Sequence, residues 1–189
     1  MTTEQQQYLD RLNHIQNDLT NAWMDYWKHF SHVGTWQFWV NVIILVLPLI
    51  VLYFLIDRKK AFHIGFFGFN VHVWFNYIDT FGVWYGLWNY PYRAIPFLPI
   101  SFALDASLVP VVFMLVYQWT LNHNKNYYLY LTGLCLFFAF VLKPVMVALD
   151  LFQMHKGMNY FNLFLGYLVI MLLSKWITTA FVHLQKSTK

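Results

Sequence analysis

Four ionisable side chains interrupt stretches otherwise built from Phe, Trp, Tyr, Leu and Val. His72 and Asp79 lie in "GFNVHVWFNYIDTFG", Asp105 in "SFALDASLVP" and Lys143 in "FAFVLKPVMV". Two carboxylates and an ammonium can form an ion-pair cluster, bind an ion or a polar headgroup, or relay protons. Two carboxylates flanking a cleft could also serve as the acid–base pair of an enzyme that modifies lipids. His72, Asn76 and Asp79 are spaced four and three apart, which is one face of a helix, and could be offered as metal ligands. Asn is a poor transition-metal ligand, so interhelical hydrogen bonds are expected there and no metal site. His29 and His32 form an H-x-x-H inside an aromatic cluster and read as interfacial residues. Ser, His and Asp occur without a local nucleophile signature. No glycine-rich loop follows a strand, so there is no phosphate cradle. No cofactor is expected.

The solvent around these residues follows from composition. Of 189 residues, 59% are hydrophobic and only 11% charged, against about 25% charged in an ordinary soluble domain. A soluble protein so poor in charge would expose large apolar patches and aggregate. The lipid bilayer is therefore the first expected partner. Aromatic residues reach 22%, with 9 Trp and 13 Tyr, the types that collect at membrane–water interfaces. The net charge of +4 comes from Lys and Arg that form no stripe with interleaved polar contacts, so nucleic acid is not a partner. The single Cys135 cannot form an intrachain disulfide and leaves the redox compartment unread. The polar first 33 residues do not resemble a cleavable signal peptide.

A bilayer core about 30 Å thick needs roughly 20 apolar residues of helix. Five segments qualify: 36–56, 61–81, 100–119, 127–148 and 160–180. The fold class expected is therefore all-α, a polytopic membrane helix bundle of five transmembrane helices behind an N-terminal amphipathic helix. Three regions follow: 1–33, an interfacial or coiled-coil helix; 34–182, the five-helix transmembrane domain; and 183–189, a short basic tail. The amphipathic helix carries Leu12, Ile15, Leu19, Ala22, Tyr26 and Phe30 at spacings of three and four. It either lies on the membrane with Trp23 and Trp27 as anchors or pairs with a second copy. Lys and Arg set orientation. Arg58, Lys59, Lys60, Lys125, Lys186 and Lys189 fall on one side, and Arg11, Lys28, Arg93 and Lys156 on the other. The N-terminus is expected outside and the C-terminus in the cytoplasm, with Lys175 snorkelling toward the cytoplasmic surface.

These spans position the polar residues. In the second, Gly65, Gly68, His72, Asn76, Asp79, Gly82 and Gly86 form one small, polar face. It is expected to pack on protein while Phe66, Phe67, Phe69, Val73, Trp74 and Tyr77 cover the other faces and the phenylalanines meet lipid. Counting about 1.5 Å per residue, Asp105 and Lys143 reach one layer under about 10 Å from the outer surface, near Asp79. An Asp105–Lys143 ion pair is expected, completed by Asp79 or by Arg93 from the connecting loop. That loop carries Trp84, Trp88, Tyr90 and Tyr92, which suit the headgroup layer, and Pro91, Pro96 and Pro99, which end the helix.

Asp79, then Gly82-x3-Gly86-x-Trp88-x-Tyr90-Pro91-Tyr92, Ile95-Pro96-Phe97, Asp105 and Pro110, resembles an uncharacterised family of small five-span integral membrane proteins from spore-forming Gram-positive bacteria. Tyr117-Gln118 and Lys175-Trp176 are also similar, and the resemblance covers roughly residues 36 to 180. One departure is Lys143-Pro144, where some members carry an acidic residue before the proline, so no family role transfers to that position. The resemblance implies five spans and a bacterial plasma membrane. It implies no activity.

The leading functional reading is a non-enzymatic structural or accessory membrane component, working as a homo-oligomer or with another membrane protein. The alternative is a small transporter, or a protein binding an ion or lipid headgroup through the outer Asp/Lys cluster. The second alternative is a membrane-embedded lipid-modifying enzyme.

Overall fold

The structure is a computed structural model and describes residues 1–187. It is helical: α1 (Thr3–Tyr26), α2 (Trp36–Leu55), α3 (Ala61–Trp84), α4 (Leu104–Asn122), α5 (Tyr127–Ala148) and α6 (Tyr160–Ser187). Polar side chains start four of them, Asn159 accepting from the Asn162 amide of α6 at 3.0 Å. Thr2, Thr35 and Asn126 each accept a hydrogen bond from an amide of the first turn, at 3.2, 3.4 and 3.2 Å, which satisfies one of the donors a helix start leaves free.

Four helices are long and apolar enough to cross a membrane: α2, α4, α5 and α6. Helix α3 has the length, at 24 residues, but His63, Asn70, His72, Asn76 and Asp79 dilute its apolar character. Its environment explains the difference. α3 packs along α4 and α6, and Ile64, Phe67, Gly68, Val71, Phe75, Asp79 and Gly82 are buried against them. By contrast α2 exposes Trp39, Ile43, Val46, Leu47, Ile50 and Phe54, a surface suited to lipid and not to water.

The face expected on α3 needs correcting in three places. Phe67 and Phe75 are buried in the core with Phe113, Tyr117, Phe138 and Tyr167, and do not meet lipid. Gly65 has no neighbour within 4 Å of where a Cβ would stand. Gly86 lies beyond the helix: its φ of +63° makes it the left-handed terminator. The Leu87 amide closes on the Gly82 carbonyl at 2.8 Å and the Gly86 amide on the Val83 carbonyl at 3.0 Å, the double bond that ends a helix at glycine. Gly68 and Gly82 do make close approaches, to Met114 of α4 and to the Trp88 ring.

Two prolines widen the helices that carry the remaining charges. The Val109 amide bonds to the Leu104 carbonyl and the Lys143 amide to the Phe138 carbonyl, each five residues back. These π-helical turns, Leu104–Leu108 and Phe138–Leu142, immediately precede Pro110 and Pro144. Proline cannot donate to the preceding turn and clashes with it, and a widened turn accommodates both problems. Asp105 sits inside the first such turn and Lys143 closes the second.

Past α3, strand β1 (Trp88–Asn89) pairs antiparallel with β2 (Gln153–Met154), with Trp88 opposite Met154. The loops after α3 and after α5 are thereby tied together at one end of the bundle. At the other end, the Asp57 amide donates to Gln118 of α4 at 2.7 Å, so the α2–α3 loop lies beside the C-terminal end of α4. Helix α6 runs on through residues 183–187 without a break, so the expected tail begins as helix. Residues 188 and 189, including Lys189, lie outside the described residues. Helix α1 has no buried residue and holds Leu12, Ile15 and Leu19 exposed.

Candidate functional site: a buried Asp–Tyr–Lys cluster

Asp79 enters the site from α3, Asp105 from the widened start of α4 and Lys143 from α5. All three are buried. The loop after α3 folds back over them, because Gly86 reverses the chain and β1 is held by β2. This places the Trp88 and Tyr90 side chains inside the bundle. Asp79 Oδ1 accepts from Trp88 Nε1 at 2.7 Å and from the Tyr90 hydroxyl at 2.8 Å. Lys143 Nζ donates to the same Tyr90 oxygen at 3.2 Å and stands 3.6 Å over the Phe152 ring. The order of donation is therefore Lys143 to Tyr90 to Asp79. Burial first, then the Asp79 and Asp105 charges, push the Tyr90 phenol well above its usual range. It stays protonated and can keep donating.

The expected Asp105–Lys143 ion pair does not form. The only carboxylate–lysine pair among the described residues joins Asp25 of α1 to Lys28 just beyond it, at 3.5 Å. The Tyr90 hydroxyl takes the hydrogen bond of Lys143 instead. Asp79 Oδ2 and both carboxylate oxygens of Asp105 are buried without a well-formed hydrogen bond among the described residues, although the Ser101 backbone approaches Asp79 and the Asp79 and Asp105 carboxyl groups approach each other. Asp79, Asp105 and Lys143 nevertheless lie within electrostatic reach of one another. Three helices thus bring Asp79, Asp105 and Lys143 near one another, with the Tyr90 hydroxyl between Asp79 and Lys143.

The other candidates divide. The carbonyl of Asp105 accepts from His72 Nδ1 at 2.7 Å, which fixes that nitrogen as the one bearing hydrogen and joins α3 to α4. Asn76 makes no side-chain hydrogen bond among the described residues and stands outside the cluster. Arg93 belongs to a second construction. Its guanidinium lies 3.6 Å over the Trp23 ring, and its Nε and Nη1 donate to the carbonyls of Tyr90 and Leu98, both at 3.2 Å. Its own carbonyl accepts from Trp27 Nε1 at 2.9 Å, and its amide donates to Ser31 Oγ at 2.9 Å. Burial pushes Arg93 down to about 10, which leaves it charged at neutral pH. Arg93 thus clasps the end of α1 and the segment after it to the loop, and completes no ion pair.

The aromatic loop also divides. Trp84 is exposed and Tyr92 half-buried, as interfacial residues would be, and the Tyr92 carbonyl accepts from Asn41 of α2 at 3.3 Å. Trp88 and Tyr90 are core residues and not the headgroup aromatics expected. Composition could not separate the four. Only the reversal at Gly86 decides which rings turn inward.

A cleft of about 70 Å³ opens between α3 and α6 and reaches the cluster. Ile78, Gly166 and Asn162 line it together with Asp79, Trp88 and Lys143. A water needs roughly 10–15 Å³ of such space, so the cleft admits a few waters or a small ion. Among the described residues no group of three His, Cys, Asp or Glu is arranged to hold a metal ion. With both carboxylates ionised, the cluster carries two negative charges against one ammonium. One added positive charge balances it.

The chain was compared with protein-family models, with curated proteins and with solved structures, and it matches none of them.

Proposed function

We propose that the chain is a five-span integral membrane protein of a bacterial plasma membrane, N-terminus outside and C-terminus cytoplasmic. In this reading it is not an enzyme, and its Asp79–Asp105–Lys143 cluster holds one further positive charge, a proton or an alkali cation, near the outer face. The ion-binding reading is thereby preferred to a purely structural one. The resemblance to the small membrane proteins of spore-forming bacteria belongs to the same proposal, since its motif residues Asp79, Trp88, Tyr90 and Asp105 are those that meet here.

Three buried carboxylate oxygens without a well-formed hydrogen bond, on two carboxyl groups that approach each other, carry this reading. A cluster serving helix packing alone would spend its ammonium on a carboxylate, because a half-satisfied polar network is worse than an apolar one. An uncompensated charge in a span is costly, and one cation removes the imbalance. The cleft leads to Asp79 from one side, and the cluster lies at one end of the bundle, which favours a one-sided site over a conduction path. The fifth span is supported by length and by neighbours. At about 1.5 Å per residue, α3 is longer than the bilayer core of about 30 Å. It also runs antiparallel beside α4, with its start near the end of α4 and its end near the start of α4.

Asp105→Asn tests the reading, because it leaves one carboxylate against one ammonium. The wild-type protein in detergent is expected to show one of two signatures. Its melting temperature rises when sodium chloride replaces N-methylglucamine chloride at equal ionic strength, or its infrared spectrum contains a protonated-carboxyl band. The variant is expected to fold and to lose that signature. Absence of both signatures in the wild type, or their survival in Asp105→Asn, overturns the reading.

A further inference from the structure

The end of the bundle away from Asp79 holds a second cluster of the same form and opposite charge. Lys175 of α6 is half-buried and directs its ammonium to α4. Its Nζ donates to the Tyr117 hydroxyl at 3.3 Å and stands 4.9 Å from the centres of the Tyr117 and Tyr127 rings. The Tyr117 hydroxyl in turn meets His63 Nε2 of α3 at 2.9 Å. Lys60, whose Nζ lies 2.5 Å from Asn122 Oδ1, and Lys186 of α6 both act electrostatically on His63 alongside Lys175.

No carboxylate among the described residues pairs with any of these lysines or with His63. The one acid of the adjoining loop, Asp57, uses Oδ1 to cap the Lys59 amide at 3.0 Å. Lys60 from the α2–α3 loop and Lys175 and Lys186 from α6 thus act on His63 at this end of the bundle, and none of them pairs with a carboxylate of a described residue. The surface beside them is apolar. Phe62 and Phe181 are exposed, and Phe181 of α6 packs on Phe66 of α3 with ring centres 5.1 Å apart. Cations next to a wall of exposed rings match an amphiphile, with an anionic head over the lysines and acyl chains along the phenylalanines.

We propose that Lys60, Lys175 and Lys186 bind the phosphate-bearing headgroup of an anionic phospholipid, whose chains lie on Phe62, Phe66 and Phe181. This site is independent of the Asp79 cluster. A free phosphate would supply the same head chemistry, but it would leave the aromatic wall unused.

Lipid retention by the full-length protein in detergent, read by native mass spectrometry, tests the proposal. The probes are phosphatidylglycerol, phosphatidylcholine and sn-glycerol 3-phosphate. Phosphatidylglycerol is expected to be retained in preference to phosphatidylcholine. Lys60→Gln and Lys186→Gln each lower its retention about fivefold, the ratio expected for one lysine at an anionic surface. Lys156→Gln, at the other end of the bundle, changes nothing. Lys60 and Lys186 reach the surface, so these variants fold even if Lys175→Gln does not. Equal retention of the two lipids, or wild-type preference in both variants, overturns the proposal. Displacement of phosphatidylglycerol by an equal concentration of glycerol phosphate assigns the site to a soluble phosphate and overturns it as well.

Discussion

Tyr90 holds the most consequential hydroxyl in the molecule. It accepts from Lys143 and donates to Asp79, so it stands where a direct ion pair was expected. Tyr90→Phe removes one oxygen and leaves two buried charged groups each short of a bond. A loss of about 1–3 kcal/mol is expected, read as a lower melting temperature in detergent, while Tyr92→Phe changes little. An unchanged melting temperature for Tyr90→Phe would show that the relay is not formed. The sequence made Asp79, Asp105 and Lys143 legible as members of one layer, because charges in apolar runs are rare and helix rise converts position into depth. It did not reveal Tyr90, because a tyrosine beside a proline reads equally well as an interfacial ring. Arg93 misled for a related reason: its charge suggested the cluster, whereas its guanidinium is occupied by Trp23 and two carbonyls.

Helix starts were legible to within a few residues, since the apolar runs and their polar caps define them, whereas α6 runs on to Ser187, past its expected end at 180. The facing of α3 was legible only in part. Glycines and polar residues mark one stripe, but α3 is enclosed on more than one side, so Phe67 and Phe75 are buried as well. A simple division into a protein face and a lipid face suits a peripheral helix, not a central one. Gly82 gives the sharpest test of that packing. A Cβ there would overlap the Trp88 ring, which is held in place by its bond to Asp79. Gly82→Ala is expected to destabilise by about 1–3 kcal/mol, the usual cost of overpacking. Gly133 of α5 has open space around its Cβ position, and Gly133→Ala is expected to be neutral or slightly stabilising, since alanine favours helix. Equal melting temperatures for the two variants would mean that Trp88 does not pack on α3. The widened turns before Pro110 and Pro144 were legible only as prolines. That each one positions a charged residue is a property of the folded helices.

For the whole molecule, the account places a cation-holding cluster at one end and a lysine-rich, lipid-facing cluster at the other. The two ends are joined by α3. Everything therefore depends on α3 crossing the bilayer, although it does not reach the apolar character of α2, α4, α5 and α6. Cysteine labelling tests this most directly. With Cys135 replaced by alanine, single cysteines are placed at Lys59, before α3, and at Phe97, after it, and are exposed to a membrane-impermeant maleimide in intact cells. The account predicts labelling of Phe97→Cys in intact cells, and labelling of Lys59→Cys only after permeabilisation. Labelling of both positions from the same side would contradict it.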